Sequence, residues 1–472
     1  MPCERHNLCF LTNNDTTIER QRMNKNKLSL KESWLVGLTL FGLFFGAGNL
    51  IFPVHLGQLA GANTWPAAIG FIITAVGIPV LGVAAIGMTH SDNLQVLAGK
   101  VAKWYGIAFT VALYLTIGPF FAIPRCATTS FTVGTSALIG DGNVALIQFF
   151  FVLVFFGLVL FFSLRPSDIM TWVGKIITPA FLVFFAILLL AAFLNPSASV
   201  ASVPPVPEYE TGAFFNGFVE GYGTMDAIAG LAFGVIVTGM IRKLGVNDDE
   251  SVGKSTLTSG IFTVILMVII YLLSIVMGTQ SRGILEVSEN GGIALAQLSQ
   301  HYLGSFGLII LAITITLACL KTAIGLVTSC AEMFVTMFPK SFSYKSWAVI
   351  FTVFSFGIAN VGLTALISYS LPVLMLLYPL AIVLIALGLC DRLFGGSRFV
   401  YAGVTAGAFV AAVFDFLKTL PAELQEALHT APAIDFAGKI FPLFDQGLGW
   451  LLPAMIGLVV GILLKCIFQK KK

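Results

Sequence analysis

Long apolar stretches separated by short polar segments cover almost the whole chain. A membrane helix needs about 20 mostly apolar residues to cross the hydrocarbon layer. The stretches that meet or approach this length are 34–54, 66–89, 106–136, 144–163, 174–194, 213–240, 256–278, 303–338, 346–361, 368–389, 398–416 and 447–467. The pattern therefore predicts an all-α, polytopic membrane protein with twelve transmembrane helices.

The composition agrees with a chain dissolved in lipid. Hydrophobic residues make up 57% of the 472 positions and charged residues only 10%, whereas soluble domains carry about 25% charged residues. No basic cluster is interleaved with aromatic residues, so we expect no nucleic-acid partner. The five His lie in tails, loops or span ends, and the seven Cys lack paired spacing. We therefore expect neither a disulfide framework nor the clustered ligands of a metalloenzyme, and predict that the chain is not an enzyme.

The distribution of basic residues sets the predicted orientation. Lys and Arg accumulate in cytoplasmic loops. With both termini inside, 21 of the 26 basic residues fall in cytoplasmic segments, and the external loops hold only Arg282, Lys418 and Lys439. We therefore expect a multi-pass protein of the inner (plasma) membrane with both termini in the cytoplasm.

Residues 1–31 are polar and predict a cytoplasmic tail. Met23 is a second candidate start, so the sequence leaves open whether residues 1–22 belong to the native product. A basic segment before an apolar run can resemble a signal peptide. The run from Trp34 has full spanning length and no small-residue cleavage site, so we expect it to be retained as the first span.

Two spans contain glycine-rich interruptions at mid-membrane depth. The first span reads Gly46-Ala47-Gly48-Asn49, and the sixth reads GYGTMD over 221–226. Close helix packing accounts for most of the 47 Gly, but it does not explain Gly-x-Gly followed by polar residues. Unwound backbone at this depth is tolerated only where it lines a cavity. The interruptions therefore predict a cavity between the first and sixth spans.

Their positions suggest two inverted repeats. The predicted organisation is a first repeat over 32–195 (spans 1–5), a second repeat over 208–390 (spans 6–10), and a region over 391–472 with spans 11 and 12 and a cytoplasmic C-terminus. Interrupted helices at matching positions of two halves mark the binding site of secondary transporters. A half-helix N-terminus suits an anionic group, and carbonyls of the opposite half suit a cation. A zwitterion such as an amino acid satisfies both.

Four segments carry a family resemblance: FGAGNLIFP at 45–53, GPFFAIPR at 118–125, GYGTMD at 221–226 and LACLKTAIGL at 317–326. In this order they resemble the bacterial branched-chain amino acid carriers of the LIVCS family. The resemblance implies uptake of leucine, isoleucine and valine by cation symport. It also implies a leucine-transporter-like fold of ten core helices plus two. The expected coupling ion is Na⁺, with no cofactor and no obligate protein partner; membrane lipid is the expected surrounding.

The resemblance also implies site residues. For the substrate these are Gly46, Ala47, Gly48 and Asn49 in the first span, and Tyr222, Gly223, Thr224 and Asp226 in the sixth. The amides of Gly46, Ala47 and Gly48 would bind the substrate carboxylate. For a sodium ion they are the carbonyls of Gly42, Phe45 and Ala318 and the hydroxyl of Thr322.

One position departs from the pattern of sodium-coupled relatives. They often carry two adjacent hydroxyl residues where this chain has Lys321-Thr322. The ammonium of Lys321 would either repel sodium, occupy the site as a built-in cation, or point elsewhere. The sequence therefore favours Na⁺ coupling but leaves H⁺ coupling open.

Charged residues inside spans are costly and by default functional. The candidates for a role in coupling are Lys321, Asp226, Glu220 and Arg125. We expect Arg125 to pair with a carboxylate of the sixth span. Asp226 could cap the half-helix, bind the substrate ammonium or relay a proton. We expect capping, because it needs no special pKa. A different amino acid or small organic solute on the same fold is the main alternative substrate.

Overall fold

The computed structural model describes residues 25–89, 91, 93–135, 143–165 and 178–468. Most of the predicted tail (1–24), the last residue of the third predicted span and the start of the fifth (174–177) lie outside the described residues. Within the described ranges every regular element is a helix, which confirms the predicted all-α class.

The helices follow the predicted apolar runs closely. In chain order they are α1 (Leu30–Phe44), α2 (Ala47–Ala60), α3 (Thr64–Ile72), α4 (Ile78–Met88), α5 (Leu94–Gly99), α6 (Lys103–Leu115), α7 (Ala122–Ser130), α8 (Val144–Ser163), α9 (Thr178–Leu194), α10 (Pro207–Glu210), α11 (Ala213–Glu220), α12 (Asp226–Lys243), α13 (Asp249–Ser281), α14 (Gly291–Met337), α15 (Tyr344–Ala359), α16 (Leu363–Leu389), α17 (Asp391–Phe394), α18 (Arg398–Thr419), α19 (Ala422–Ala427), α20 (Ala431–Ile440) and α21 (Leu451–Phe468). π-helical turns join α3 to α4 and α6 to α7.

Length and composition show a multi-pass membrane protein. Among the described residues, 8 helices are long and apolar enough to cross a membrane, or 9 if α11 and α12, bent by 45° at their junction, form one span. Two further apolar helices, in the fifth and ninth predicted spans, are shorter than the length needed to cross a membrane. The twelve-span count and the repeat organisation stay predictions.

The first predicted span is divided into α1 and α2 and begins earlier than expected. Ser29 and Glu32 form a capping box, in which the Ser29 hydroxyl accepts from the Glu32 N–H and the Glu32 carboxylate accepts from the Ser29 N–H. Lys25 Nζ pairs with Glu32 Oε1 at 2.8 Å. Because a capping box satisfies two otherwise unpaired amides, the helix starts at Leu30 rather than at Trp34.

Helix α14 is longer than the eighth predicted span. Gly304 has φ 62° and ψ −166°, which divides the helix into two segments. The second segment corresponds to the predicted run 303–338. The first begins after Asn290, whose side chain accepts from the N–H groups of Gly292 and Ile293, and it was not expected from hydropathy.

Glycines allow the helices around the first break to approach closely. A methyl group at Gly57 of α2 would lie 2.0 Å from the carbonyl oxygen of Ile275 on α13, and one at Gly230 of α12 would lie 2.4 Å from that of Pro79 on α4. These contacts exclude any side chain. They hold α2 against α13 and α12 against α4.

Candidate functional site

The first break lies between α1 and α2, at Phe45 and Gly46. The Gly46 N–H donates to Asn49 Oδ1 at 2.9 Å, where an unbroken helix would direct it to the Gly42 carbonyl. Asn49 thus caps α2 from its third position, and the Gly42 carbonyl is released from the helical ladder. The amides of Ala47 and Gly48 lie in the first turn of α2, where a helix leaves N–H groups without intrahelical partners. The break therefore presents amides on one side and a carbonyl on the other.

The second break lies between α11 and α12, in the turn Gly221–Thr224 and Met225. Met225 has φ 65°, a left-handed conformation that is strained for a residue with a side chain. The Thr224 hydroxyl donates to the Gly221 carbonyl at 2.9 Å and accepts from the Asp226 N–H at 3.3 Å. A methyl group at Gly223 would lie 2.4 Å from the Phe52 ring. Glycine at 223 therefore lets the turn press against α2.

A buried polar triad joins the two breaks. The Asn49 side-chain amide donates to Asp226 Oδ2 at 2.5 Å and to the hydroxyl of Tyr271 on α13. Tyr271 in turn donates to Asp226 Oδ2 at 3.3 Å. All three side chains are at most 3% exposed. The expectation that Asp226 caps α12 is wrong, because its carboxylate binds across to α2 and α13 while Thr224 caps the helix.

Arg125 on α7 holds the second break from the opposite side. Its Nη1 donates to the Gly223 carbonyl at 2.6 Å and its Nη2 to the Thr224 carbonyl at 3.4 Å. Its guanidinium carbon lies 5.3 Å from the centre of the Phe52 ring. The expected contact with the sixth span is present, but the guanidinium hydrogen-bonds to backbone carbonyls, and the carboxylate of Asp226 interacts with it electrostatically without forming a close ion pair. Unwound backbone exposes carbonyls that a guanidinium can satisfy, and no carboxylate of a described residue forms an ion pair with it.

A small cavity of about 40 Å³ lies where the breaks meet. Most of the residues predicted for the substrate line it, namely Gly46, Ala47, Gly48, Asn49, Thr224 and Asp226. Arg125 and Thr322 also line it, and its apolar wall includes Ile117, Ala122, Phe233 and Leu326. Tyr222 and Gly223 are outside this lining. One side of the cavity is therefore polar backbone and the other is aliphatic and aromatic.

Of the residues predicted to hold a cation, Thr322 lines the cavity, and Gly42, Phe45 and Ala318 are outside its lining. Thr322 Oγ1 donates to the Ala318 carbonyl at 3.1 Å, and it would lie 3.5 Å from a methyl group at Gly46. Lys321 Nζ would lie 3.6 Å from a methyl group at Gly42. The ammonium is therefore directed towards the end of α1, beside the predicted sodium ligands.

Glu220 belongs to a different cavity. At the end of α11, its Oε1 lies 3.9 Å from His55 Nδ1, and both residues line a space of about 180 Å³ together with Glu289 and Asn290. Phe52 also lines this space while its ring packs under Arg125. The stacked pair of Phe52 and Arg125 thus lies between the two cavities.

Two residues of this site were absent from the sequence prediction. Tyr271 lies within the apolar run 256–278, where its hydroxyl is a polar group at mid-span that needs a partner. That signal could have identified it. Phe52 is one of 42 Phe, and nothing in the sequence distinguishes it from those that pack in the core or face lipid.

The chain matches a family of transport proteins over almost its full length. The family model described as "Branched-chain amino acid transport protein" matches residues 29–468. A branched-chain amino acid permease BrnQ of Lactobacillus delbrueckii subsp. lactis is 49% identical over 449 residues, which cover 95% of this chain and 100% of the relative. The branched-chain amino acid transport system 2 carrier protein of Pseudomonas aeruginosa is 40% identical over 427 residues, covering 90% and 94%.

Solved structures show the same fold at low identity. The transporter Mhp1 in an inward-facing conformation aligns with a TM-score of 0.54 and 17% identity, covering 88% of this chain and 94% of Mhp1. A closed conformation of Mhp1, of the nucleobase-cation-symport-1 family, aligns with a TM-score of 0.58 and 14% identity, covering 91% of each chain. This likeness concerns the fold alone. Together with the family match, it confirms the resemblance inferred from the four motifs.

Proposed function

The chain belongs to the branched-chain amino acid transport protein family, and on that premise we propose that it imports leucine, isoleucine and valine by cation-coupled alternating access. Its relatives are named as permeases and carriers, so it is a transporter and not an enzyme. The observation that carries the proposal is the meeting of two helix breaks around one cavity, joined by the bond between Asn49 and Asp226.

The polar half of the cavity suits the backbone of an amino acid. The first-turn amides of Ala47 and Gly48 lie at the positive end of the α2 dipole, which favours a carboxylate. The substrate ammonium would then face the carboxylate of Asp226 or the Thr224 hydroxyl across the cavity. Arg125 orients the Gly223–Thr224 turn and carries a positive charge near the carboxylate position.

The apolar half suits an aliphatic side chain. Ile117, Ala122, Phe233 and Leu326 offer no charge or hydrogen bond to a substrate. A volume of about 40 Å³ is small for leucine. Substrate entry therefore requires the wall to move, as expected of alternating access about hinges at the two breaks.

Sodium is the coupling ion that we propose first. The carbonyls of Gly42, Phe45 and Ala318 and the Thr322 hydroxyl would supply the oxygen ligands, and Thr322 lines the cavity. Hard cations bind oxygen ligands of this kind. When bound, sodium would supply a positive charge that draws α1 and α14 together, and binding would thereby be linked to the position of α1.

Proton coupling is the second candidate, and the placement of Lys321 favours it. Its ammonium is directed towards Gly42, where it can take the place of the sodium ion. A lysine in such a position can lose and regain a proton during a cycle. The two candidates differ in which gradient drives uptake.

The proposal also includes the topology. The chain crosses the inner (plasma) membrane twelve times, in two inverted repeats plus two further spans, and both termini lie in the cytoplasm. The basic-residue distribution supports it. Single cysteines placed at Arg282 and Lys345, on predicted opposite sides, would react with an impermeant reagent from outside at Arg282 only. Labelling of both positions from outside would contradict the topology.

Uptake of labelled leucine into proteoliposomes tests the function directly. Purified protein should accumulate leucine under an imposed inward cation gradient, with competition by isoleucine and valine. Efficient competition by a chemically different solute, with none by isoleucine or valine, would assign the site to another substrate.

A further inference from the structure

Asp415 is a fully buried acid that the proposed transport site does not use. It lies on α18, near the end opposite Arg398, and its relative exposure is 0%. Neither carboxylate oxygen has a hydrogen-bond partner among the described residues. A charged side chain placed in this way inside a span is costly and by default functional.

The acid interacts with a residue of the second helix break. Tyr222, in the turn that joins α11 and α12, is close enough to Asp415 for the two to interact electrostatically, and its hydroxyl also neighbours the Trp450 indole. The Tyr222 hydroxyl and the Trp450 N–H are buried without a well-formed hydrogen bond. Polar atoms from three separate segments therefore converge on one enclosed place.

No described basic residue forms an ion pair with the acid, and Lys418 interacts with it electrostatically from a longer distance. Lys418, one turn further along α18, donates to the carbonyls of Phe444 and Asp445 and lies 3.6 Å from the Asp445 carboxylate. Tyr378 on α16 stacks on Tyr222 with ring centres 4.2 Å apart. Among the charged residues of the other packed elements, Glu220 at the end of α11 lies in the second cavity beside His55. The others lie at the exposed surface or at the far end of α21, namely Asp435, Lys439, Asp445 and Lys465.

The surroundings also connect Asp415 to the half-helix α11. Gly447, with φ 71°, lies in the segment before Trp450, and a methyl group there would lie 2.9 Å from Val219 on α11. The segment that encloses the acid thus rests directly on the half-helix before the break. A movement of α11 would therefore displace the segment that encloses Asp415.

We propose that Asp415 is a proton-binding site whose occupancy is linked to the position of α11. A bare carboxylate without an ion-pair or hydrogen-bond partner is disfavoured in this enclosure, and a metal ion would find too few oxygen ligands beside an indole N–H. A proton taken from external water converts the carboxylate to a neutral acid, which can donate to the Tyr222 hydroxyl. Movement of α11 opens the enclosure and releases the proton.

This inference deepens the proposed function. The predicted effect of Asp415 on uptake rests on the proposed function. The site differs from the predicted sodium site and from Lys321, which is directed towards Gly42. Protonation of Asp415 would therefore give transport a dependence on pH whichever cation drives it.

Two measurements on the full-length protein test the proposal, with Asp415→Asn as a mimic of the neutral acid. Infrared difference spectra recorded across a pH titration should contain a carboxylic-acid C=O band that Asp415→Asn removes and Tyr222→Phe shifts. In proteoliposomes, Asp415→Asn at alkaline pH should transport leucine like the parent at acidic pH. Asp435→Asn, which alters an exposed acid on α20, should behave as the parent throughout.

The outcomes separate this proposal from the proposed function. A parent spectrum identical to that of Asp415→Asn, or a pH dependence of uptake that is the same in both, overturns the proton site. A parent that fails to transport leucine at any pH overturns the proposed function, and the infrared band still decides the state of Asp415. If Asp415→Asn does not fold, the band shift in Tyr222→Phe decides it.

Discussion

The side-chain amide of Asn49 donates a hydrogen bond of 2.5 Å to the carboxylate of Asp226, 177 residues further along the chain. Each of these residues lies directly beside a helix break, so the bond ties the first break to the second. Asn49 also accepts from the Gly46 N–H at the same time. One side chain therefore shapes the first break and fixes its distance from the second.

Replacement of Asn49 with Leu should reduce leucine uptake at least about tenfold. A hydrogen bond to a charged group contributes about 1.5–3 kcal/mol, and each 1.4 kcal/mol corresponds to about tenfold in an equilibrium constant. Tyr271→Phe, which removes one arm of the triad and leaves the Asn49–Asp226 bond, should have a smaller effect. Uptake is compared at equal amounts of monodisperse protein. Equal effects of the two substitutions would contradict the central role of Asn49.

Gly48→Val should abolish leucine binding while the protein still folds and inserts. A methyl group at Gly48 would lie 2.9 Å from Arg125 Nη2 and 3.3 Å from Thr224 Cα, so a larger side chain would occupy the proposed carboxylate position. Gly157→Val on α8 is the matched control, because nothing lies within 4 Å of a methyl group there. Near-normal binding by Gly48→Val would exclude this part of the cavity as the substrate site.

Competition should rank substrates by side-chain polarity rather than by shape. One methylene in an apolar pocket is worth only about 1–3 kcal/mol, so leucine, isoleucine and valine should compete within about a hundredfold of one another. Aspartate, glutamate and lysine should fail, because the wall formed by Ile117, Ala122, Phe233 and Leu326 offers their charge no partner. Competition assays with labelled leucine measure this, and efficient uptake of glutamate or lysine would refute the apolar pocket.

Arg125→Lys should reduce uptake by about 10–100-fold, since a lysine cannot hold both carbonyls of the second break in the geometry of a planar guanidinium. Arg165→Lys is a suitable control, because Arg165 lies over the Phe161 ring at the end of α8 and away from both cavities. Uptake and thermal stability are measured together. If Arg125→Lys transports like the parent, the guanidinium fork is not required at the break.

Lys321→Thr distinguishes the two coupling candidates. An ammonium about 4 Å from a sodium ion costs on the order of 4 kcal/mol at an effective dielectric constant of 20. If Lys321 replaces the ion, the parent should respond to a proton gradient and the variant should become sodium-dependent. If the parent is driven by sodium and the variant is unchanged, Lys321 lies outside the coupling site. Uptake under separately imposed sodium and proton gradients measures both.

The sequence predicted the fold class, the family and the positions of the two breaks. Apolar run length is a local property, and the observed bounds of α8 (Val144–Ser163) equal the predicted ones. Gly-x-Gly-Asn is also local, because Asn49 caps the helix that begins two residues before it. These features follow from the chemistry of neighbouring residues and need no knowledge of how the helices pack.

Only the tertiary structure decided which side chains meet. Hydropathy does not give the rotation of one helix against another, and a rotation of a fraction of a turn moves a side chain from lipid to a cavity. For this reason the sequence assigned Arg125 a carboxylate rather than two carbonyls, and made Asp226 a helix cap rather than a partner of Asn49. It also passed over Asp415, whose neighbours Tyr222 and Trp450 lie far from it in the sequence. They are brought to it only by tertiary packing, in which α16 packs against the second break and α18 packs against α16.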